Sequence, residues 1–261
     1  MKKIFLTILF VVCVFGSLIV TYTIINIFVQ QEEEKKLYNN ITDQAFQNDP
    51  QIKEDIVEIN WEFLNELNPD IKAWIYVPNT NINYPIVQGE DNDFYLTRSA
   101  DKSYSTGGAI FIDCFAVEFF DDTYNTLIYG HNMWSTTMFT DIEKFKDEEF
   151  FRDNDVFYIF TRDKNYKCTI YSIYTTDFNS EMFDVYYAST DEFQEYLNKS
   201  IMNSDFERNI DIKNTDSIIT LSTCSHERNG QSSELRYMLH DKVDFLNEEE
   251  FKEVVEKFIF E

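Results

Sequence analysis

The stretch Asp216-Ser217-Ile218-Ile219-Thr220-Leu221-Ser222-Thr223-Cys224 is rich in β-branched residues and reads as a buried strand that delivers a thiol at its C-terminal end. A second run of the same kind, Asn125-Thr126-Leu127-Ile128-Tyr129-Gly130-His131, delivers an imidazole in the same way. A third, Glu234-Leu235-Arg236-Tyr237-Met238-Leu239-His240-Asp241-Lys242-Val243, carries a guanidinium. Further strands are predicted at 73–77, 82–87, 108–112, 156–161 and 167–175, with the three runs above giving 126–129, 217–223 and 235–244. Turn residues such as Pro78-Asn79-Thr80-Asn81 separate them. Eight strands suit a mainly β fold built as a closed barrel.

Helices flank the strands. Residues 54–67 carry apolar side chains at helical spacing and are followed by Pro69. Ser189 and Glu192 have capping-box spacing at the start of a second helix through Phe193, Tyr196 and Leu197. A third, from Asn247, places Phe251, Val254, Val255 and Phe258 on one face. All three stripes read as core-packing faces.

A thiol, an imidazole and a guanidinium are the parts of a cysteine acyl-transfer site. The thiol is a weak nucleophile until a nearby cation stabilises its thiolate. The imidazole can protonate a leaving amine, and a fixed cation can hold the oxyanion of a tetrahedral intermediate. A lone cysteine at the end of an apolar strand is more often packing than chemistry. Around Cys224, however, Ser222, Thr223, Ser225, His226 and Glu227 form a polar rim. His226 is the internal rival to His131, because residues two apart share a strand face. Arg228 is the corresponding rival to Arg236, and His240 reads as an ordinary strand residue.

The amino terminus reads differently. After Lys2 and Lys3, residues 4–29 contain no charge and exceed the roughly 20 residues that cross a bilayer. A cleaved signal would have a shorter apolar region and a small-x-small site, absent near Val29. With basic residues before the span and acidic ones after it, residues 1–3 are expected in the cytoplasm. Residues 30–50 read as a polar linker and 51–261 as one extracellular domain, giving a single-pass protein of the cell membrane.

Formal net charge is −25, and no basic stripe is visible, so nucleic acid is not an expected partner. Cys13 lies in the apolar span and Cys114, Cys168 and Cys224 beyond it, so the outer three cannot all pair within one chain. A Cys114–Cys168 disulfide is possible by count, but buried free thiols are the preferred reading. With three histidines and no C-x-x-C, no metal site or cofactor is expected.

Thr220-Leu221-Ser222-Thr223-Cys224, Tyr129-Gly130-His131-Asn132-Met133 and Arg236 in the following strand resemble the sortases, membrane-anchored cysteine transpeptidases of Gram-positive bacteria. Trp74-Ile75-Tyr76-Val77, the segment 82–88 (INYPIVQ), Asp91-Asn92-Asp93-Phe94-Tyr95-Leu96, the segment 107–113 (GGAIFID) and Met138-Phe139 are similar to class B members. The likeness runs in order from about residue 60 to about residue 243. It implies an eight-stranded barrel with flanking helices. It implies Cys224 as nucleophile, His131 as general acid/base and Arg236 as stabiliser of the oxyanion or substrate carbonyl. It also implies a helix at 189–203, a groove wall at 175–187, and Asn92, Leu96, Ser222 and Thr223 along the groove.

Two departures from the pattern bear, in turn, on which arginine acts and on substrate fit. Eleven residues separate Cys224 from Arg236, and Trp134-Ser135-Thr136-Thr137 stands where relatives commonly carry a Gly before the Met-Phe pair. The resemblance implies cleavage of a C-terminal sorting signal of secreted proteins through a thioester. The acyl group then passes to an amine of peptidoglycan or its lipid-linked precursor. A pilin-polymerising sortase, an extracellular membrane-anchored cysteine peptidase and a non-catalytic scaffold are the alternatives.

Overall fold

The computed structural model describes residues 2–46, 59–117, 119–225 and 235–260. The chain divides into two units, residues 1–40 and 41–261. Helix α1, Lys2–Ala45, makes up the first unit and runs on into the second. It is long and apolar enough to cross a membrane, and Phe5, Phe10, Phe15 and Phe28 are exposed on it. The sequence reading expects a linker from residue 30, yet the helix continues through Ala45. Glu32 to Lys36 are strong helix formers, and no Gly or Pro occurs between Gln30 and Pro50.

In the second unit eight strands close a barrel in the order β1-β2-β3-β4-β7-β8-β6-β5. They are β1 Ile71–Tyr76, β2 Asn83–Val87, β3 Ile110–Ile112, β4 Asn125–Tyr129, β5 Val156–Phe160, β6 Asn165–Asp177, β7 Ile218–Cys224 and β8 Leu235–Leu246. Each falls on a predicted run. Gly108, at φ +62°, turns the chain before β3, which therefore starts at Ile110 rather than at residue 108.

Two of the neighbouring pairs, β2 with β3 and β4 with β7, are parallel, and the others are antiparallel. The β4–β7 pairing sets Tyr129 opposite Ser222, so both strands end at the same rim of the barrel. Parallel neighbours need a long crossover, supplied here by β5, β6 and the helix α4, Thr190–Asn203. The interior is filled by side chains such as Ile75, Ile86, Ile112, Phe157, Ile219, Leu221 and Leu239, all buried. Such a barrel holds no channel.

Ser189 caps α4, its Oγ accepting from the Glu192 N–H at 3.2 Å, while the Glu192 carboxylate accepts from the Ala188 N–H at 2.6 Å. The apolar face of α4 buries Phe193, Tyr196 and Leu197 against Tyr171, Tyr174, Ile218 and Met238. Beneath it lies a polar chain. The Thr220 hydroxyl donates to Asn125 Oδ1 at 2.9 Å and meets His240 Nδ1 at 2.9 Å. Since that hydroxyl has one proton, His240 Nδ1 is the donor, and Nε2 accepts from the Tyr174 hydroxyl at 2.8 Å. Burial pushes the His240 ring down to about 3, so it is neutral near pH 7. As an ordinary strand residue it is structural, and its two nitrogens are both satisfied.

The described end of the predicted first helix is α2, Trp61–Leu67, capped by Asn60; residues 54–58 lie outside the described residues. Helix α3, Glu148–Asp153, follows a 3-10 turn, and α5, Glu248–Phe260, sets the Phe251 ring against Phe160 at 5.2 Å. Cys114 and Cys168 are free thiols, the first half-buried and the second fully buried.

Candidate active site

The site is built from strand ends. Cys224 closes β7 and is half-buried, and its register partner across the β7–β8 pair is Arg236. Directly opposed residues in antiparallel strands lie about 5 Å apart. The parallel β4–β7 ladder continues one step beyond the strand, the Gly130 N–H donating to the Ser222 carbonyl at 3.2 Å. His131, two residues past Tyr129, therefore comes level with Cys224, two residues past Ser222.

Local sequence explains how His131 is held. Gly130 lacks a Cβ, and the Phe139 ring fills that space; a Cβ there would lie 2.7 Å from the ring. The Phe139 N–H donates to the His131 carbonyl at 2.9 Å, folding the 132–138 loop back over the strand end. Asn132 Nδ2 donates to the Cys224 carbonyl at 2.9 Å, tying the histidine loop to the nucleophile strand. The His131 ring itself meets the Leu96 carbonyl through Nε2 at 2.9 Å.

Arg236 is half-buried, with its guanidinium 5.7 Å from the centroid of the Phe178 ring and Nη1 donating to the Leu235 carbonyl at 3.0 Å. Strand β6 runs to Asp177, opposite Leu235, so the predicted 175–187 wall begins as strand and then turns at Glu181–Phe183.

The remaining sequence-predicted site residues separate into two kinds. Both ends of the Asn92 amide are engaged, Nδ2 donating to Asp113 Oδ2 at 2.9 Å and Oδ1 accepting from the Cys114 N–H at 2.8 Å. Ser222 and Thr223 are buried beside the nucleophile, and their hydroxyls have no partner among the described residues; nor has Asn132 Oδ1. Leu96 offers both a partly exposed side chain and the carbonyl that meets His131. His226 and Arg228 lie outside the described residues.

The other outer thiols sit in unfavourable surroundings for a thiolate. Burial and the Asp113 carboxylate push Cys114 up, and complete burial with Asp241 nearby pushes Cys168 up. Tyr129, beside the histidine loop, is raised by burial and by Asp113, and as a phenol it donates to Asp113 Oδ2 at 2.9 Å.

Sequence reasoning did not single out Asn132, Phe178 or the Leu96 carbonyl. Asn132 carried a signal in its place directly after His131. The carbonyl carried none, because every residue has one.

A closed mixed barrel with a thiol, an imidazole and a guanidinium at the ends of neighbouring strands defines the class: a cysteine acyl-transfer enzyme. Comparison with known proteins makes this specific. The sortase domain family model matches residues 75–243. Sortase B of Listeria monocytogenes is 35% identical over 165 residues, covering 63% of this chain and 67% of the relative. Sortase B of Staphylococcus aureus is 30% identical over 228 residues, covering 86% and 91%. The crystal structure of Clostridium perfringens sortase B superposes with a TM-score of 0.66 at 33% identity, covering 70% of this chain and 99% of that one. The chain belongs to the sortase family, in its class B, and is a cysteine transpeptidase of the kind that anchors proteins to the cell wall.

Proposed function

We propose that Cys224 is the nucleophile, His131 the general acid/base and Arg236 the oxyanion or carbonyl stabiliser of this transpeptidase. The Cys224 thiolate attacks a backbone carbonyl within a C-terminal sorting signal. The C–S bond forms, the amide C–N bond breaks, and His131 gives its proton to the departing amine. An amine of peptidoglycan or its lipid-linked precursor then attacks the thioester and releases Cys224. The observation that carries this reading is register: parallel β4 and β7 set the residue after Gly130 level with the end of β7, and β8 sets Arg236 opposite Cys224.

The orphan hydroxyls of Ser222 and Thr223 and the Leu96 side chain line the groove for the signal in this reading. Asn92 braces that groove through Asp113. Residues 4–29 span the membrane with residues 1–3 in the cytoplasm and 51–261 outside; the long apolar helix and the lysines before it support this.

Product analysis tests the reaction. Incubation of the chain with sorting-signal peptides and a small peptide amine should give the ligated product, and without the amine only slow hydrolysis. A product distribution indifferent to the amine would make it a peptidase. In the same assay His131→Gln should lose turnover while His226→Gln keeps it, and equal loss from both would remove His131 from the role of base.

A further inference from the structure

The catalytic histidine needs a third group. A neutral imidazole has one N–H and one lone pair, and its use as acid and base depends on which nitrogen holds the proton. The Nε2 of His131 lies 2.9 Å from the carbonyl of Leu96. A carbonyl only accepts, so Nε2 must carry the hydrogen in this arrangement, leaving Nδ1 with the lone pair.

That carbonyl belongs to an unusually well-fixed turn. Asp91 Oδ1 accepts from the N–H groups of Asp93 and Phe94, opening the 3-10 turn Phe94–Leu96. Tyr95 is fully buried, its hydroxyl donating to Asp70 Oδ2 at 2.7 Å and accepting from Asn68 Nδ2 at 2.8 Å. The Tyr95 carbonyl takes the Ala109 N–H at 3.0 Å. The next carbonyl along is the one that meets His131.

Gly108 makes this possible. Its φ is +62°, and a Cβ there would lie 2.5 Å from the Tyr95 carbonyl oxygen and 2.9 Å from that of Leu96. Any side chain at residue 108 must therefore push the turn, and the Leu96 carbonyl with it.

We infer that the Leu96 main-chain carbonyl is the orienting partner of His131, fixing the neutral ring as the Nε2–H tautomer so that Nδ1 exchanges the proton with Cys224 and the leaving amine, and that Gly108 is the positioning residue that sets this carbonyl. The inference rests on His131 being the general acid/base. It moves part of the catalytic apparatus onto the segment 94–108, which contributes no reacting side chain. The same carbonyl would accept from Nε2 of an imidazolium as well, since both nitrogens of a protonated ring are donors.

The test is long-range 15N–1H spectroscopy of the full chain in detergent micelles, labelled at histidine, with the His131 signals assigned through His131→Gln. The neutral ring of His131 should show protonated Nε2 and bare Nδ1. Gly108→Ala should give a mixture of tautomers and lower kcat about 100-fold with KM changed less than about threefold, the scale of a small misplacement of a catalytic group. Leu96→Ala keeps its main-chain carbonyl, so its neutral His131 ring should retain the Nε2–H tautomer.

A wild-type ring protonated at Nδ1 would overturn the inference, as would a Gly108→Ala protein that loses kcat with the Nε2–H form intact. If Gly108→Ala does not fold, the wild-type and Leu96→Ala spectra decide. Acylation of Cys224 is read separately by mass spectrometry. A wrong tautomer in an enzyme that acylates would sink this inference alone, and a correct tautomer without acylation would sink the assignment of roles.

Discussion

His131 and His240 are the same residue under opposite constraints. His240 is fully buried in a strand, with both nitrogens partnered by Thr220 and Tyr174, and burial holds it neutral. His131 sits half-buried on the loop beyond β4, with Nε2 on a carbonyl. The difference extends to their neighbours. Around His240 the hydroxyls and amides are satisfied, whereas near Cys224 the hydroxyls of Ser222 and Thr223 and Oδ1 of Asn132 have no partner among the described residues. Satisfied polar groups fix a structure, and unsatisfied ones at a strand end leave donors and acceptors for a substrate. One imidazole therefore holds the barrel and α4 together, and the other is the one we propose as general acid/base.

Replacing each histidine by Gln gives the sharpest separation. His131→Gln should lower kcat about 1,000-fold with little change in stability, within the usual range for loss of a general acid/base. His240→Gln should keep kcat within about threefold and destabilise the fold by about 2 kcal/mol, since it disturbs a buried hydrogen-bond chain. Steady-state kinetics and urea unfolding read the two effects, and a large kcat loss from His240→Gln would erase the contrast.

Gly130→Ala should come next. Its Cβ would press into the Phe139 ring and tilt the loop carrying His131, lowering kcat about tenfold to 100-fold and stability by about 1–3 kcal/mol. Unchanged kinetics would mean that the loop is not held as tightly as the packing implies.

The pH dependence of stability sharpens the comparison further. The unfolded chain protonates His240 near pH 6.5 while the folded chain resists until about pH 3. Stability from this group is complete above 6.5 and is lost as pH falls, by about 1.4 kcal/mol per unit within that window. Asp241, on the next residue, opposes it: burial holds its carboxyl well above the usual range, so its contribution is lost as pH rises above 3.8. The stability cost of His240→Gln should therefore shrink between pH 6.5 and 4.5, and a cost constant with pH would contradict the neutral buried ring. The smallest expected effect is Ser189→Ala, about 1 kcal/mol from the lost cap of α4, with kcat intact.

The β-branched runs made all eight strands legible, because a half-buried strand must alternate or be continuously apolar whatever its partner. Pairing was less so: that β4 and β7 are parallel neighbours depends on Thr126 meeting Ile219 across more than ninety residues, and no local pattern records it. Cys224, His131 and Arg236 were readable as residue types at strand ends and from family likeness. The buried chain from Asn125 through Thr220 to His240 was not, since each member alone is an ordinary strand residue. Residues 30–45 show a different limit: a polar run reads as linker, but Glu and Lys also extend helices, and here the helix continues.

The central claim, that Cys224 is the nucleophile of this class B sortase, is tested most directly by intact-mass spectrometry of the reduced, folded chain incubated with sorting-signal peptides and no amine. The chain should gain the mass of the acyl fragment, with the adduct mapping to Cys224, releasable by an added amine and absent from Cys224→Ala. An adduct that persists in Cys224→Ala or maps to Cys114 or Cys168, or none with any such peptide, would contradict it.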